Sequence, residues 1–137
     1  MAQINSNLYA SFQQVFLRFA DKVALTTTSG VEHTYSSLDN ESARLARYLS
    51  EQGIQPGDRV SVQVEKSPEA LWLYLACLRG GFVFHPLNTG YKENELEYYF
   101  SDAEPSVIIC DVSADQLMRK LAEKTNIAKL FTLNADG

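Results

Sequence analysis

Four short apolar segments begin near Val60, Phe82, Val107 and Leu130, about two dozen residues apart. Between successive segments lies a stretch with helical spacing and a helix start or stop signal. Strands joined by intervening helices cannot be hairpin neighbours, so the repeat predicts βαβ units and a mainly parallel sheet. The strands are "VSVQV", "FVFHPL", "SVIIC" and "AKLFTL". They are apolar almost throughout rather than alternating, which calls for cover on both faces. The expected fold class is therefore α/β: a three-layer, mainly parallel sheet with helices on both faces.

The segments ahead of this repeat fit the same plan. Leu8, Phe12, Val15, Phe16 and Phe19 recur at helical spacing between Asn7 and Ala20. "KVALTTTSGVEHTYS" alternates around Ser29-Gly30 and reads as an N-terminal β-hairpin. Ser36 and Asp39 have the spacing of a capping box for a second helix, whose face is Leu38, Leu45 and Leu49 with Ala43 and Ala46 beside it, stopped by Gly53. Pro56-Gly57-Asp58 turns the chain into the first parallel strand. Ser67, Pro68 and Glu69 supply an N-cap, a first-turn proline and an acid at the positive end of the third helix. Leu96, Tyr99, Phe100 and Ala103 form the buried face of a fourth helix, ended by Pro105. Ser113 and Gln116 are read as the cap of a fifth.

Composition narrows the function classes. With 137 residues, 45% hydrophobic, the chain can bury a core without disulfides or metals. The net charge of −5 and the lack of a basic stripe argue against a nucleic-acid partner. The longest apolar run, "LWLYLACL", is too short to span a bilayer, and "MAQINSNLYASFQQVF" lacks the charged and apolar regions of a secretory signal. The expected location is cytoplasmic. Cys77 and Cys110 lie inside apolar runs and read as reduced, buried thiols.

Each candidate site residue has a structural rival. "TTTSG" (Thr26 to Gly30) offers the hydroxyls and glycine that phosphates favour, but no lysine and no helix follow, so a hairpin turn is preferred. His33 lies in the hairpin and reads as a surface residue. His85 ends a strand before Pro86, at the carboxyl edge where α/β sheets bind ligands, yet has no orienting acid nearby in sequence, which favours packing. Asp102 and Glu104 suit helix termination. Tyr98-Tyr99-Phe100 could stack a flat ligand, although core plus interface is the commoner use of such spacing. No metal-ligand spacing and no dinucleotide-binding glycine pattern is present.

Four local patterns, in order, carry a family resemblance. They are "TYSSLD" followed by "ARLA", "GIQPGDRV" at Gly53 to Val60, "SPEALWLYLACLRGG" at Ser67 to Gly81, and "PLN" at Pro86 to Asn88. Together they resemble the N-terminal region of the adenylate-forming acyl-CoA synthetases. "NLYASF", "VEKSPEALWLYLA", "PLNTGYKENELEYYFSDAEPSVIICD" and the closing "TLNADG" are similar, more finely, to the malonyl-CoA synthetase branch. The resemblance implies a ligase that forms malonyl-adenylate from malonate and Mg-ATP, releases pyrophosphate, and passes the acyl group to CoA. It further implies that residues 1–137 are the N-terminal subdomain of the large AMP-binding domain, ending before the phosphate loop. The "TSGTTGxPKG"-type loop, the ribose-binding aspartate, the magnesium-binding acid and the catalytic lysine of that family match no position here. No catalytic, cofactor-binding or metal residue is therefore carried over. The chain is expected to be an inactive scaffold that binds no ATP, Mg2+ or CoA by itself and self-associates through surface left open. Two alternatives stand: a fragment of a synthetase for fatty, aryl or acetyl substrates, or a stand-alone flavodoxin-like binding module.

Overall fold

The computed structural model describes residues 6–134. The first residues of the segment searched for a signal and the last three of "TLNADG" lie outside the described residues.

Helix α1 (Leu8–Arg18) starts at Asn7, whose side-chain oxygen accepts from Tyr9 N–H at 2.8 Å. Strands β1 (Val23–Thr26) and β2 (Glu32–Thr34) form the expected antiparallel hairpin. Then come α2 (Tyr35–Glu51), β3 (Arg59–Gln63), α3 (Pro68–Gly80), β4 (Val83–Pro86), α4 (Glu93–Ala103), β5 (Val107–Cys110), α5 (Asp115–Lys124) and β6 (Leu130–Thr132). The last four strands make one all-parallel sheet in the order β4-β3-β5-β6.

Alternation along β3 and β5 sorts the two cores. Val60, Val62, Val107 and Ile109 pack with Leu49, Ile54, Leu73 and Cys77 on the α2/α3 side. Ile108 and Cys110 pack with Leu96, Phe100, Met118 and Leu121 on the α4/α5 side. Helices thus cover both faces, as the apolar strands require. The two cysteines lie on opposite sides of the sheet and are free thiols. Strand β3 breaks the apolar rule on its α4 side, where Ser61 and Gln63 are both buried.

Two of the expected caps are elsewhere. Helix α2 begins at Tyr35, and Thr34 is its N-cap, accepting from Ser37 N–H. Ser36 is thus inside the first turn, and Asp39 is drawn toward α3 instead. Ser113 lies within a 3₁₀ turn, Val112–Ala114, so α5 starts without a side-chain cap. Ser67 caps α3 as the sequence predicts, accepting from Ala70 N–H at 3.1 Å.

A third core holds α1 and the hairpin to α2 and α3: Tyr9, Phe16, Leu38 and Leu75 are its buried members. A polar cluster stands beside it. Arg79 Nη1 on α3 lies 2.7 Å from Tyr9 Oη, 2.9 Å from Asp39 Oδ1 and 3.1 Å from Ser42 Oγ, and the guanidinium sits over the Tyr9 ring.

Candidate functional site

In open α/β sheets, ligands gather beyond the carboxyl ends of the strands, where the strand order reverses. Here that point lies between β3 and β5, because β3 has β4 on its other side. The protein's own groups occupy it. The Asp111 carboxylate after β5 accepts from Glu65 N–H after β3, at 3.2 and 3.4 Å. Gln63 Nε2 donates to Asn88 O at 2.8 Å, and Asn88 Oδ1 accepts from Gly90 N–H at 2.8 Å. The loop after β4 is therefore pinned both from below and from within.

His85 belongs to the same layer. Its Nδ1 is 2.8 Å from Ser61 Oγ on the adjacent strand, and its ring meets Tyr99 edge-on. The partner that sequence proximity lacks is supplied across the sheet, 24 residues away. Burial holds the imidazole below its usual pKa, against the pull of Asp102 and with a small push from Arg59. Tyr99 stacks on Tyr91 with centroids 5.0 Å apart, Phe100 is fully buried and Tyr98 is exposed. The three aromatics thus divide between core, stack and surface. Glu104 takes a left-handed conformation (φ 46°) and closes α4 by donating its N–H to Phe100 O. Burial pushes the Cys77 thiol up to about 12 and the Cys110 thiol up to about 11, so neither is a ready nucleophile.

A further opening lies off the sheet. A cleft of about 680 Å3 separates the tip of the hairpin from the N-terminus of α3. Thr26, Thr27, Thr28 and Ser29 line one side; Lys66, Ser67 and Glu69 line the other. His33 lines it too, which revises its reading as a surface residue: it is half-buried, edge-on against Trp72 with centroids 5.5 Å apart. The hairpin was legible in the sequence, but its docking at the helix end was not. That pairing depends on the α1–α2–α3 packing, so nothing local marked Lys66 as a cleft residue, and Glu69 was legible only as a helix-opening acid.

The cleft does not fit a triphosphate cradle. Thr27 N–H donates to Val31 O and Gly30 N–H to Thr27 O, so these amides close the turn rather than face a ligand. Pro68 has no N–H, and Ala70 N–H is taken by Ser67. Among the described residues no group of three or more His, Cys, Asp or Glu could hold a metal ion. No helix among them is long and apolar enough to cross a membrane.

Fold and site together define an α/β unit: a doubly covered parallel sheet whose carboxyl-edge loops are hydrogen-bonded to one another at the switch point. The chain belongs to the AMP-binding enzyme family, whose model, AMP-binding enzyme, matches residues 12–136. Its structure is similar to ATP-bound MatB from Rhodopseudomonas palustris, with a TM-score of 0.87 and 42% identity over 98% of this chain and 26% of that one. It is 33% identical to the medium-chain fatty-acid–CoA ligase of Escherichia coli (strain K12) over 73% of this chain and 18% of the ligase. It is 34% identical to the long-chain-fatty-acid–CoA ligase of Bacillus subtilis (strain 168) over 77% of this chain and 19% of that protein. The chain thus spans about a fifth to a quarter of the length of these relatives.

Proposed function

We propose that residues 1–137 form the N-terminal subdomain of a larger adenylate-forming CoA ligase whose acid substrate is malonate. The similarity to MatB, a malonyl-CoA synthetase, over nearly the whole chain carries this reading. The parent reaction has two steps. A malonate carboxylate oxygen displaces pyrophosphate from ATP to give malonyl-adenylate, and the CoA sulfur then displaces AMP to give the thioester. Such chemistry needs phosphate charge stabilisation and exclusion of water from a reactive anhydride. This chain's groups meet neither need. Its contribution is a rigid sheet and a pinned set of carboxyl-edge loops against which the reactive parts are placed. ATP, Mg2+ and CoA are ligands of the parent enzyme.

The test is pyrophosphate release by the full-length parent with malonate, methylmalonate, acetate and octanoate. Malonate is expected to give the highest kcat/KM. A preference for octanoate would instead favour the fatty-acid reading that the Escherichia coli and Bacillus subtilis ligases suggest. The 137-residue chain by itself is expected to release no pyrophosphate from Mg-ATP with malonate and CoA, and measurable turnover would sink the scaffold role.

A further inference from the structure

His85 and Ser61 are register partners across the β3–β4 ladder, on the side that α4 covers. Ser61 is fully buried. Among the described residues, His85 Nδ1, 2.8 Å away, is the one hydrogen-bond partner of its hydroxyl. A hydroxyl has one proton to give and lone pairs that accept. With a proton on Nδ1, the ring would donate to Ser61 Oγ and the buried hydroxyl proton would have no acceptor. With Nδ1 bare, the hydroxyl donates to it and both groups are satisfied. A buried donor without an acceptor is costly, so the geometry selects a neutral ring protonated at Nε2.

The same geometry makes the contact sensitive to acid. An imidazolium carries protons on both nitrogens, so Ser61 loses its acceptor when His85 takes one up. The charged groups that act on the ring oppose each other: Asp102 on α4 favours the imidazolium and Arg59 on β3 disfavours it. Burial outweighs the pull of Asp102. The contact also lies where its loss would be felt. Strand β4 is at the sheet edge, with β3 as its strand partner. His85 is followed by Pro86 and by Leu87, whose N–H donates to Val62 O at 2.8 Å. Tyr99 of α4 meets the His85 ring edge-on and stacks on Tyr91, at the end of the same loop.

We propose that His85 is an acid-sensitive latch: its neutral ring, accepting from Ser61, holds the β4 edge and the 87–91 loop on the sheet, and protonation of Nδ1 releases them. Because the folded chain favours the neutral ring, the latch is complete above the ordinary histidine value of 6.5 and is lost as pH falls below it. It stands or falls without the ligase reading.

Three measurements on the 15N-labelled chain test it. At pH 8 the ring nitrogens of His85 should show the Nε2–H tautomer, and an Nδ1–H ring overturns the proposal. Ser61→Ala removes the donor and should raise the His85 titration midpoint by about half a unit or more. Burial alone would survive that change, so an unchanged midpoint overturns the latch. Protection of the Leu87 amide against hydrogen exchange should fall about five-fold or more between pH 8 and pH 5, and less than about two-fold in His85→Asn. The asparagine Oδ1 replaces Nδ1 as an acceptor and cannot be protonated in this range. Equal losses in the two proteins overturn the proposal. Should His85→Asn not fold, the tautomer and the Ser61→Ala midpoint decide.

Discussion

Tyr9 donates its hydroxyl proton to Asp39 Oδ1 at 2.5 Å while Arg79 Nη1 approaches the same hydroxyl oxygen at 2.7 Å. Three helices are tied at one point by these groups, none of which pairs locally in sequence. Burial, then the hydrogen bond to Asp39, pushes the Tyr9 hydroxyl up to about 12. Burial also acts to raise Asp39, but the hydrogen bonds from Tyr9 and Arg79 outweigh it and hold the carboxyl below its usual range. The signs give two pH limbs. Tyr9 keeps its proton in the folded chain after the unfolded chain has lost it, so its contribution is complete below pH 10 and is lost as pH rises toward about 12. Asp39 contributes fully above its unfolded value near 4 and loses that contribution as the medium becomes more acid. Tyr9→Phe should cost about 1–2 kcal/mol at neutral pH and flatten the alkaline limb in urea unfolding. Arg79→Met should cost about 2–3 kcal/mol. That is less than a fully buried pair, because the Arg79 and Asp39 side chains keep 22% and 17% of their surface exposed. Equal alkaline limbs for Tyr9→Phe and the unmodified chain would refute the assignment.

The tight connection from α3 to β4 sets how the sheet meets the helix above it. Gly81 closes α3 in a left-handed conformation (φ 73°), and its neighbour Gly80 has a separate reason to be glycine. A Cβ on Gly80 would fall 2.4–2.9 Å from the ring of Phe82, itself buried in the α2/α3 core. Gly80→Ala therefore forces Phe82 to move and should cost about 1–3 kcal/mol despite alanine's better helix propensity. Guanidinium unfolding reads the loss, and Gly80→Ala/Phe82→Leu should recover part of it. The sequence made elements of this kind visible wherever the cause is local: Ser67-Pro68-Glu69 opens α3, Pro105 follows α4, and the strands recur on schedule. It misplaced the caps of α2 and α5 because Asp39 and Ser113 have the right spacing but other employment. Asp39 serves Tyr9 and Arg79, and Ser113 sits in a 3₁₀ turn. Distant partners explain the rest. Ser61 under His85, Gln63 under the loop after β4, and the hairpin against α3 are sheet-register and packing facts with no local signature.

At the scale of the molecule, an all-parallel sheet is normally enclosed, and here its two edges differ. Edge strand β4 ends in Pro86, which has no N–H to offer a further strand. Among the described residues, edge strand β6 pairs with β5 on one side and with no strand on its outer side. A small apolar recess lies beside it, lined by Leu45, Tyr48, Phe131 and Leu133, with Tyr48 meeting Phe131 edge-on. An unpaired edge next to apolar surface is a template for another strand. The chain by itself is therefore expected to associate as its concentration rises, through β6 rather than β4. Thr132, exposed on that edge, is the place to break the contact. Thr132→Lys puts a charge on the edge without touching the buried core, and should weaken association about ten-fold or more in sedimentation equilibrium. The same lysine in place of Val83 on β4 should leave association unchanged. The opposite pattern would move the contact to β4, and a monomer at every concentration would show that this short edge is self-limiting.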